Sequence, residues 1–184
     1  MGTWEHSLSE LVATRRRALV GYAYLLSGDV REAEDLLQDA LVATCARVRA
    51  GTDVVALEAY VRKAVLRTYL DGFRRRRTWA TIRHLSVAPD EQPPHESATA
   101  DHVPARLDVQ QALATLSPRE RACIVLRHYD DLPIADVAGR LGLSVGTVKR
   151  YLSDAHRRLA ATLGPDAPDT SAPGTDRMTL GGTR

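Results

Sequence analysis

Apolar residues recur every three or four positions through the first half of the chain, the spacing that places them on one face of an α-helix. The first predicted helix covers about residues 7–26 and ends at Gly28, a residue that favours helix termination. Asp29 then caps a second helix, with Glu32 at the spacing of a capping box. A third predicted helix, at about 56–76, has two apolar stripes, which indicates burial on two sides.

The helical spacing resumes in the second half of the chain with shorter segments. Ser117, Pro118 and Glu120 form a strong start signal, because they supply a cap, a favoured first helical residue and a capping-box carboxylate. Gly142 permits the left-handed backbone of a tight turn. The pattern predicts helices at about residues 108–116, 118–129, 133–141 and 144–163.

Two segments lack this spacing. Residues 85–107 contain four prolines, and four acidic residues against one arginine. Such a composition cannot build a core, so the segment is predicted to be a flexible acidic linker. Residues 165–184 are interpreted as a disordered tail. The predicted fold is therefore all-α, with two small helical domains at residues 1–84 and 108–164, the second containing a helix-turn-helix.

The composition fits this interpretation and narrows the function. The two cysteines, Cys45 and Cys123, lie far apart and are interpreted as free thiols in a reducing compartment. The chain has no apolar run of about 18 residues and no basic leader followed by an apolar stretch, so we expect a cytoplasmic protein without membrane contact. Basic residues outnumber acidic ones by 14 to 10 in residues 1–84 and by eight to six in residues 108–164, which favours nucleic-acid contact by both domains.

The most specific motif is a helix-turn-helix at residues 133–159. Ala138 is small enough for the two helices to cross closely, and Gly142 fits the turn. The apolar face of the second helix is predicted to be buried and comprises Val145, Val148, Leu152, Ala155 and Leu159. The opposite side would meet base edges and phosphates through Ser144, Gly146, Thr147, Lys149, Arg150, Ser153 and Arg157. The alternative is an amphipathic hairpin with a solvated charged face.

The third helix carries a second candidate nucleic-acid surface. Tyr60, Lys63, Arg67 and Arg74 fall on one side at helical spacing. An aromatic ring can stack on an unpaired base, and basic groups neutralise phosphates. The run Arg74, Arg75, Arg76 and Arg77 would grip the nucleic-acid backbone without regard to sequence. The alternative is that the arginines only end the helix favourably against its dipole.

The second helix has a polar stripe opposite its apolar face, made of Asp35, Gln38, Asp39 and Val42. One apolar residue among polar ones suits docking against another helix. An ordinary solvated face is the alternative.

Two stretches of the chain resemble one family. Residues 108–159, which include LSVGTVK, resemble the −35-binding domain of extracytoplasmic-function sigma factors. Residues 22–48 and 58–77, the latter EAYVRKAVLRTYLDGFRRRR, resemble the −10-binding domain of the same family, closest to its actinobacterial sigma-E-like sub-group. The two matches stand in the family's order, with a linker between them.

The resemblance implies a subunit without catalysis of its own that brings core RNA polymerase to promoter DNA and helps to open it. The stripe on the second helix would bind the clamp helices of the largest polymerase subunit, and the polymerase flap is a further expected contact. The loop at about residues 49–57 would capture a flipped base of the −10 element. An anti-sigma factor is another partner that the resemblance suggests.

The chain departs from the family at three positions. Arg67 stands where the −10 helix usually has an asparagine that helps to read the flipped base. Tyr151 and Asp154 stand where the recognition helix often has basic residues. Because Asp154 repels phosphate, we expect a weaker or altered preference for the −35 element.

Two other functions remain open at this point. A LuxR-type regulator shares the helix-turn-helix, and a sigma-like interaction protein could occupy polymerase without opening DNA. An enzyme is least favoured, because the sequence has no Gly-rich phosphate loop, catalytic triad pattern or paired-cysteine motif. His84, His95 and His102 lack the spacing of metal ligands, so no metal, cofactor or catalytic residue is expected.

Overall fold

The computed structural model describes residues 3–46, 52–84 and 104–163, with side chains described at 6–46, 52–75 and 109–163. All regular structure in these residues is helical, which confirms the all-α prediction. Residues 85–103 of the predicted linker, and the predicted tail at 165–184, lie outside the described residues. None of the described helices combines the length and the apolar content needed to cross a membrane.

The first domain is a bundle of three helices, α1 (Thr3–Ser27), α2 (Val30–Cys45) and α3 (Val54–His84). Each helix packs against the other two. Gly28 ends α1 with a φ of 82°, a left-handed conformation that suits a residue without a side chain. The core is apolar and includes Leu19, Leu26, Leu36, Leu37, Leu57, Val61 and Val65.

The second domain begins with α4 (Pro104–Ala114) and α5 (Pro118–Ile124). A π-helical turn, Val125–Tyr129, continues α5 directly. The helix-turn-helix follows as α6 (Ile134–Leu141) and α7 (Val145–Leu163). Several boundaries differ from prediction; helix α1, for example, begins at Thr3 and not at about residue 7. Helix α4 begins at Pro104, inside the predicted linker, because proline is well placed at a helix start. Helix α3 runs past the predicted end at residue 76 to His84.

Two local start and stop signals of the second domain form as predicted. The Ser117 side chain accepts from the Glu120 N–H at 3.4 Å, while the Glu120 carboxylate accepts from the Ser117 N–H at 2.8 Å, a complete capping box. Gly142 adopts a φ of 62° between α6 and α7, as the turn requires. The capping box thus starts α5, and Gly142 makes the turn from which α7 leaves.

A buried carboxylate anchors α7 to the rest of its domain. Glu120 is only 4% exposed, and its Oε2 accepts from Arg158 Nη1 of α7 at 2.8 Å as well as from Ser117. Val148, Leu152 and Ala155 are buried as predicted. The prediction that Val145 is buried is wrong: it is 43% exposed, because the first residue of α7 lies beyond the edge of the α6 contact.

The two domains touch each other. Helices α1 and α3 of the first domain contact α5 of the second.

Candidate promoter and polymerase interfaces

The exposed side of α7 presents most of the predicted −35 contacts. Lys149, Arg150 and Ser153 are exposed, as is Gly146 in the first turn. The Arg150 guanidinium lies 5.6 Å from the Tyr151 ring centroid, a cation–π contact that restricts its orientation. A planar guanidinium held in this way suits bidentate contact with a guanine edge.

Ser144 and Thr147 are committed to the start of α7. The Ser144 hydroxyl accepts from the Thr147 N–H at 3.1 Å, and the two hydroxyl oxygens lie 2.8 Å apart. Both side chains are therefore used as a cap, and Thr147 is only partly exposed. Since the N-terminus of a helix attracts anions, this end of α7 also suits a phosphate.

The distal half of the α7 surface is electrostatically weaker than the sequence predicts. Arg157 donates to Asp154 three residues earlier, in a close ion pair. Asp154 thus both repels phosphate and compensates the charge of the nearest arginine. The cationic surface narrows to the first half of the helix, at Lys149 and Arg150.

The predicted −10 surface of α3 is also exposed. Tyr60 is 51% exposed, which leaves its ring open for stacking, and Lys63 follows one turn later. The next basic groups share a single carboxylate: Arg67 Nε lies 3.6 Å from Asp71, and Arg74 Nη1 lies 3.8 Å from it. These long, solvated pairs leave most of the positive charge available.

The arginine run lies within a continuous helix. Arg74 and Arg75 are exposed, and the side chains of Arg76 and Arg77 lie outside the described residues. Because α3 continues to His84, the run does not end the helix. The interpretation of the arginines as a helix terminator is therefore wrong. Of the predicted base-capturing loop, only residues 52–57 are described.

The predicted docking stripe of α2 lies on the solvent side of the first domain. Asp35, Gln38 and Asp39 are exposed, and Val42 is 67% exposed. The stripe therefore offers one open apolar side chain beside two carboxylates. Asp39 also lines a cleft between α2 and α3 together with Arg75, so the stripe adjoins the basic end of α3.

Sequence analysis missed the residues that join the two domains. Arg62, next to Lys63, points to the second domain and pairs with Asp130 at 2.7 Å, and Arg121 donates to the Leu26 carbonyl oxygen at 2.9 Å. The pattern gives no signal for either contact, because both depend on how distant helices meet.

Two histidines of the second domain pair with each other. The Nε2 atoms of His128 and His156 lie 3.1 Å apart, and partial burial, with the nearby His156, lowers the pKa of His128. The described residues contain no group of three or more potential ligands that could hold a metal ion. Burial also raises the pKa of the Cys123 thiol to about 12, so this cysteine is not an activated nucleophile.

Comparison with known families covers both domains. Residues 11–79 match Sigma-70 region 2, and residues 106–159 match Sigma-70, region 4. An RNA polymerase sigma-E factor of Streptomyces coelicolor is 36% identical over 154 residues, which cover 82% of this chain and 81% of that protein. The chain belongs to the extracytoplasmic-function sigma factors. The predicted family and sub-group are confirmed.

Other relatives agree with this assignment. The ECF RNA polymerase sigma factor SigL of Mycobacterium tuberculosis is 35% identical over 147 residues, covering 77% of this chain and 80% of SigL. The solved structure of the sigma factor RpoE in complex with the anti-sigma factor NepR, from Bartonella quintana, shares the fold with a TM-score of 0.60 and 24% identity. That comparison covers 86% of this chain and 98% of the solved chain.

The function follows from the family. The chain is a sigma factor that directs RNA polymerase to promoters in transcription initiation, and it binds core RNA polymerase and promoter DNA. The match of residues 11–79 to Sigma-70 region 2 leaves no place for a LuxR-type sensor or dimerisation module in the first domain.

Proposed function

We propose that this sigma factor uses three separate surfaces in initiation: the α2 stripe for polymerase, one side of α3 for the −10 element, and the first half of α7 for the −35 element. The observation that carries this proposal is the exposure of each set on a different helix of one chain. Polymerase and both promoter elements can therefore be engaged without competing for the same residues.

The α2 stripe fits a helical, basic partner surface. Val42 would be buried on docking, while Asp35 and Asp39 supply negative charge at its edge. Exposed apolar area surrounded by carboxylates gives both affinity and orientation. The partner is proposed to be the clamp helices of the largest polymerase subunit.

The α3 surface fits opened DNA. Tyr60 offers a ring for an unpaired base, and Lys63, Arg67, Arg74 and Arg75 offer charge for the strand beside it. Extruding a base costs a few kcal/mol, which such contacts offset. The loop before α3 is proposed to complete the base pocket.

The remaining expectations belong to the same proposal. The protein would act in the cytoplasm without catalysis of its own, with the polymerase flap as a second docking point for the −35 domain. An anti-sigma factor is a proposed further partner, which the solved complex of a sigma factor of the same fold with NepR supports.

Assembly with core polymerase tests the docking surface. Replacing Asp35→Lys and Asp39→Lys together is expected to weaken core binding at least tenfold, because two attractive charges become repulsive. Glu10→Lys changes the charge of an exposed α1 residue and serves as the control. Binding is measured by fluorescence titration of labelled sigma with core polymerase, and helicity by circular dichroism. Unchanged affinity in the double variant would show that polymerase docks elsewhere.

A further inference from the structure

The contact between the two domains centres on Arg62. Its Nη1 donates to Asp130 Oδ1 at 2.7 Å and its Nη2 to Glu58 Oε1 at 2.8 Å. The same guanidinium lies 5.4 Å from the Tyr22 ring centroid and 5.3 Å from that of Tyr129. One cation of the −10 domain is thus held between an aromatic residue of each domain and bonded to a carboxylate of the −35 domain.

The Asp130 side chain is buried at the contact between the two domains. It is only 7% exposed, and it lies at the end of the π-helical turn, where its N–H donates to the Val125 carbonyl oxygen at 3.2 Å. Its second oxygen has no hydrogen-bond partner and lies 3.8 Å from Arg140. The π-helical turn therefore presents both Tyr129 and Asp130 to the −10 domain.

A second contact lies at the end of α1. Arg121 is buried, and it donates to the Leu113 carbonyl oxygen of its own domain and to the Leu26 carbonyl oxygen across the contact. A side chain at Gly28 would place its Cβ 3.2 Å from Arg121 Nη1. The glycine that ends α1 is thus also the residue that lets this guanidinium approach.

These contacts are specific but replaceable by water. An ion pair, the cation–π contact of Arg62 with Tyr129, the contact of the Tyr22 and Tyr129 rings and an arginine–carbonyl hydrogen bond cross between the domains. Each polar group among them can be solvated when the domains part. Breaking a buried pair is costly when one partner stays buried. Separation of the domains exposes both partners at once, so this penalty is avoided.

The arrangement in which the two domains touch, here called closed, spans less than the distance between the two promoter elements. The centres of elements at −10 and −35 lie about 25 base pairs apart, which is about 85 Å along B-form DNA. Two domains of this size, each with a radius of gyration of about 11 Å, together span about 60 Å when they touch. The closed chain therefore cannot place both surfaces on their elements at once.

We propose that Arg62, Asp130, Tyr22 and Tyr129 form a latch that keeps the sigma factor closed, and that promoter recognition requires this latch to open. The functional half of the inference rests on the proposed DNA surfaces. Closure removes the advantage of binding two linked elements, since the second contact cannot follow the first intramolecularly. Binding of either domain to polymerase would supply the free energy for opening.

Small-angle X-ray scattering of the full chain tests the latch independently of function. Arg62→Ala and Asp130→Asn remove the pair from opposite domains, so a folding defect in one leaves the other as the test. Both are expected to raise the radius of gyration by at least about a fifth, the change expected when two touching domains of this size separate. The wild type is expected to be compact.

Matched controls separate latch opening from general effects. Asp131→Asn changes the neighbouring carboxylate, which is 96% exposed, and asparagine tolerates its positive φ of 49°. Arg16→Ala removes an ion pair within the −10 domain, to Glu34 at 3.3 Å. Both controls should stay compact. A wild type that is already extended, or latch variants as compact as the controls, would overturn the proposal.

Promoter binding by the free chain tests the consequence. The probe is a DNA fragment carrying both elements with an unpaired −10 region, compared with fragments carrying one element. The latch variants are expected to prefer the two-element fragment at least tenfold more than wild type does, with unchanged affinity for single elements. An expanded variant without this gain would overturn the link between closure and recognition. A loss of all specific DNA binding alongside normal expansion would count against the proposed DNA surfaces and not against the latch.

Discussion

The two DNA-facing helices arrange their positive charge differently. On α3, Asp71 lies at 3.6 and 3.8 Å from Arg67 and Arg74, and both arginines remain well exposed. On α7, Asp154 forms a close pair with Arg157 alone. On α3, the single negative charge of Asp71 is shared by two arginines, so neither is fully neutralised. On α7, the charge of Asp154 neutralises Arg157 alone.

This difference indicates that α3 binds the DNA backbone, whereas α7 recognises base sequence. A broad cationic surface binds backbone with little regard to sequence, and suits a strand that must be held open. A narrow pair at the start of a recognition helix suits contact with base edges. We therefore expect substitution of Arg74 or Arg75 on α3 to change the strength of promoter opening, and substitution of Arg150 on α7 to change the choice of promoter.

The two helices are also held differently. Helix α3 lies on an apolar core of its own domain through Val61, Val65 and Leu66, and its Arg62 pairs with Asp130 of the other domain. Helix α7 is held within its own domain by apolar residues and by the buried Glu120, which accepts from Arg158 at 2.8 Å. This anchor within the domain fixes the rotation of α7 even when the two domains separate, and base reading needs a fixed rotation more than backbone contact does.

The largest effect is expected at Arg150. Arg150→Ala should cost roughly 1–3 kcal/mol of binding at the −35 element if the guanidinium makes one bidentate base contact. It should also relax base preference at one position. Transcription with core polymerase from promoters that vary at each −35 position measures both quantities.

Lys149→Ala is the matched comparison within the same turn. It should weaken all promoter variants alike and lower the salt dependence of binding by about one phosphate contact. Equal losses on every promoter for Arg150→Ala would show that Arg150 does not read sequence.

A smaller effect is expected when the two carboxylates are neutralised. Asp154→Asn should tighten −35 binding up to about fivefold, in line with the worth of an exposed ion pair, because it releases Arg157 and removes a repulsive charge. Asp71→Asn should change −10 binding less, since its pairs are longer. Fluorescence anisotropy with each element over a salt series measures both. A larger gain in DNA affinity for Asp71→Asn than for Asp154→Asn would contradict the proposed difference in charge pairing between α3 and α7.

The smallest and most specific effect is expected at Arg67. The structure leaves this guanidinium exposed one turn beyond Lys63, so it can donate to a base or stack on it. Arg67→Asn should shift the preferred base at one −10 position with little change in overall yield. Sequencing of transcripts from a library randomised across the −10 element measures the preference. A uniform change in yield would leave Arg67 only as a phosphate contact.

Local signals in the sequence predicted much of this structure. The Ser117–Glu120 capping box and the left-handed Gly142 form as expected, because each depends on a few neighbouring residues. The burial of Val145 was predicted wrongly, since the edge of a packing contact depends on the crossing of two helices.

Two other features could not be obtained from periodicity. The π-helical turn before Asp130 is only five residues long and continues α5 directly, which is too short for a change of period to show in the sequence. The pairing of Arg62 with Asp130 joins residues 68 positions apart and depends on how the folded domains meet. The candidate DNA surfaces were recognisable because exposed residues repeat at helical spacing. The ion pair that weakens Arg157 was not, because a spacing of three permits a contact without requiring it.

Transcription from a library randomised at both the −10 and the −35 elements tests the central claim most directly. Core polymerase with this chain is expected to initiate only at promoters enriched for a defined sequence at each element, and the chain alone is expected to bind those promoters weakly. Absence of initiation with core polymerase, or tight sequence-specific binding by the chain alone at physiological salt, would contradict the account.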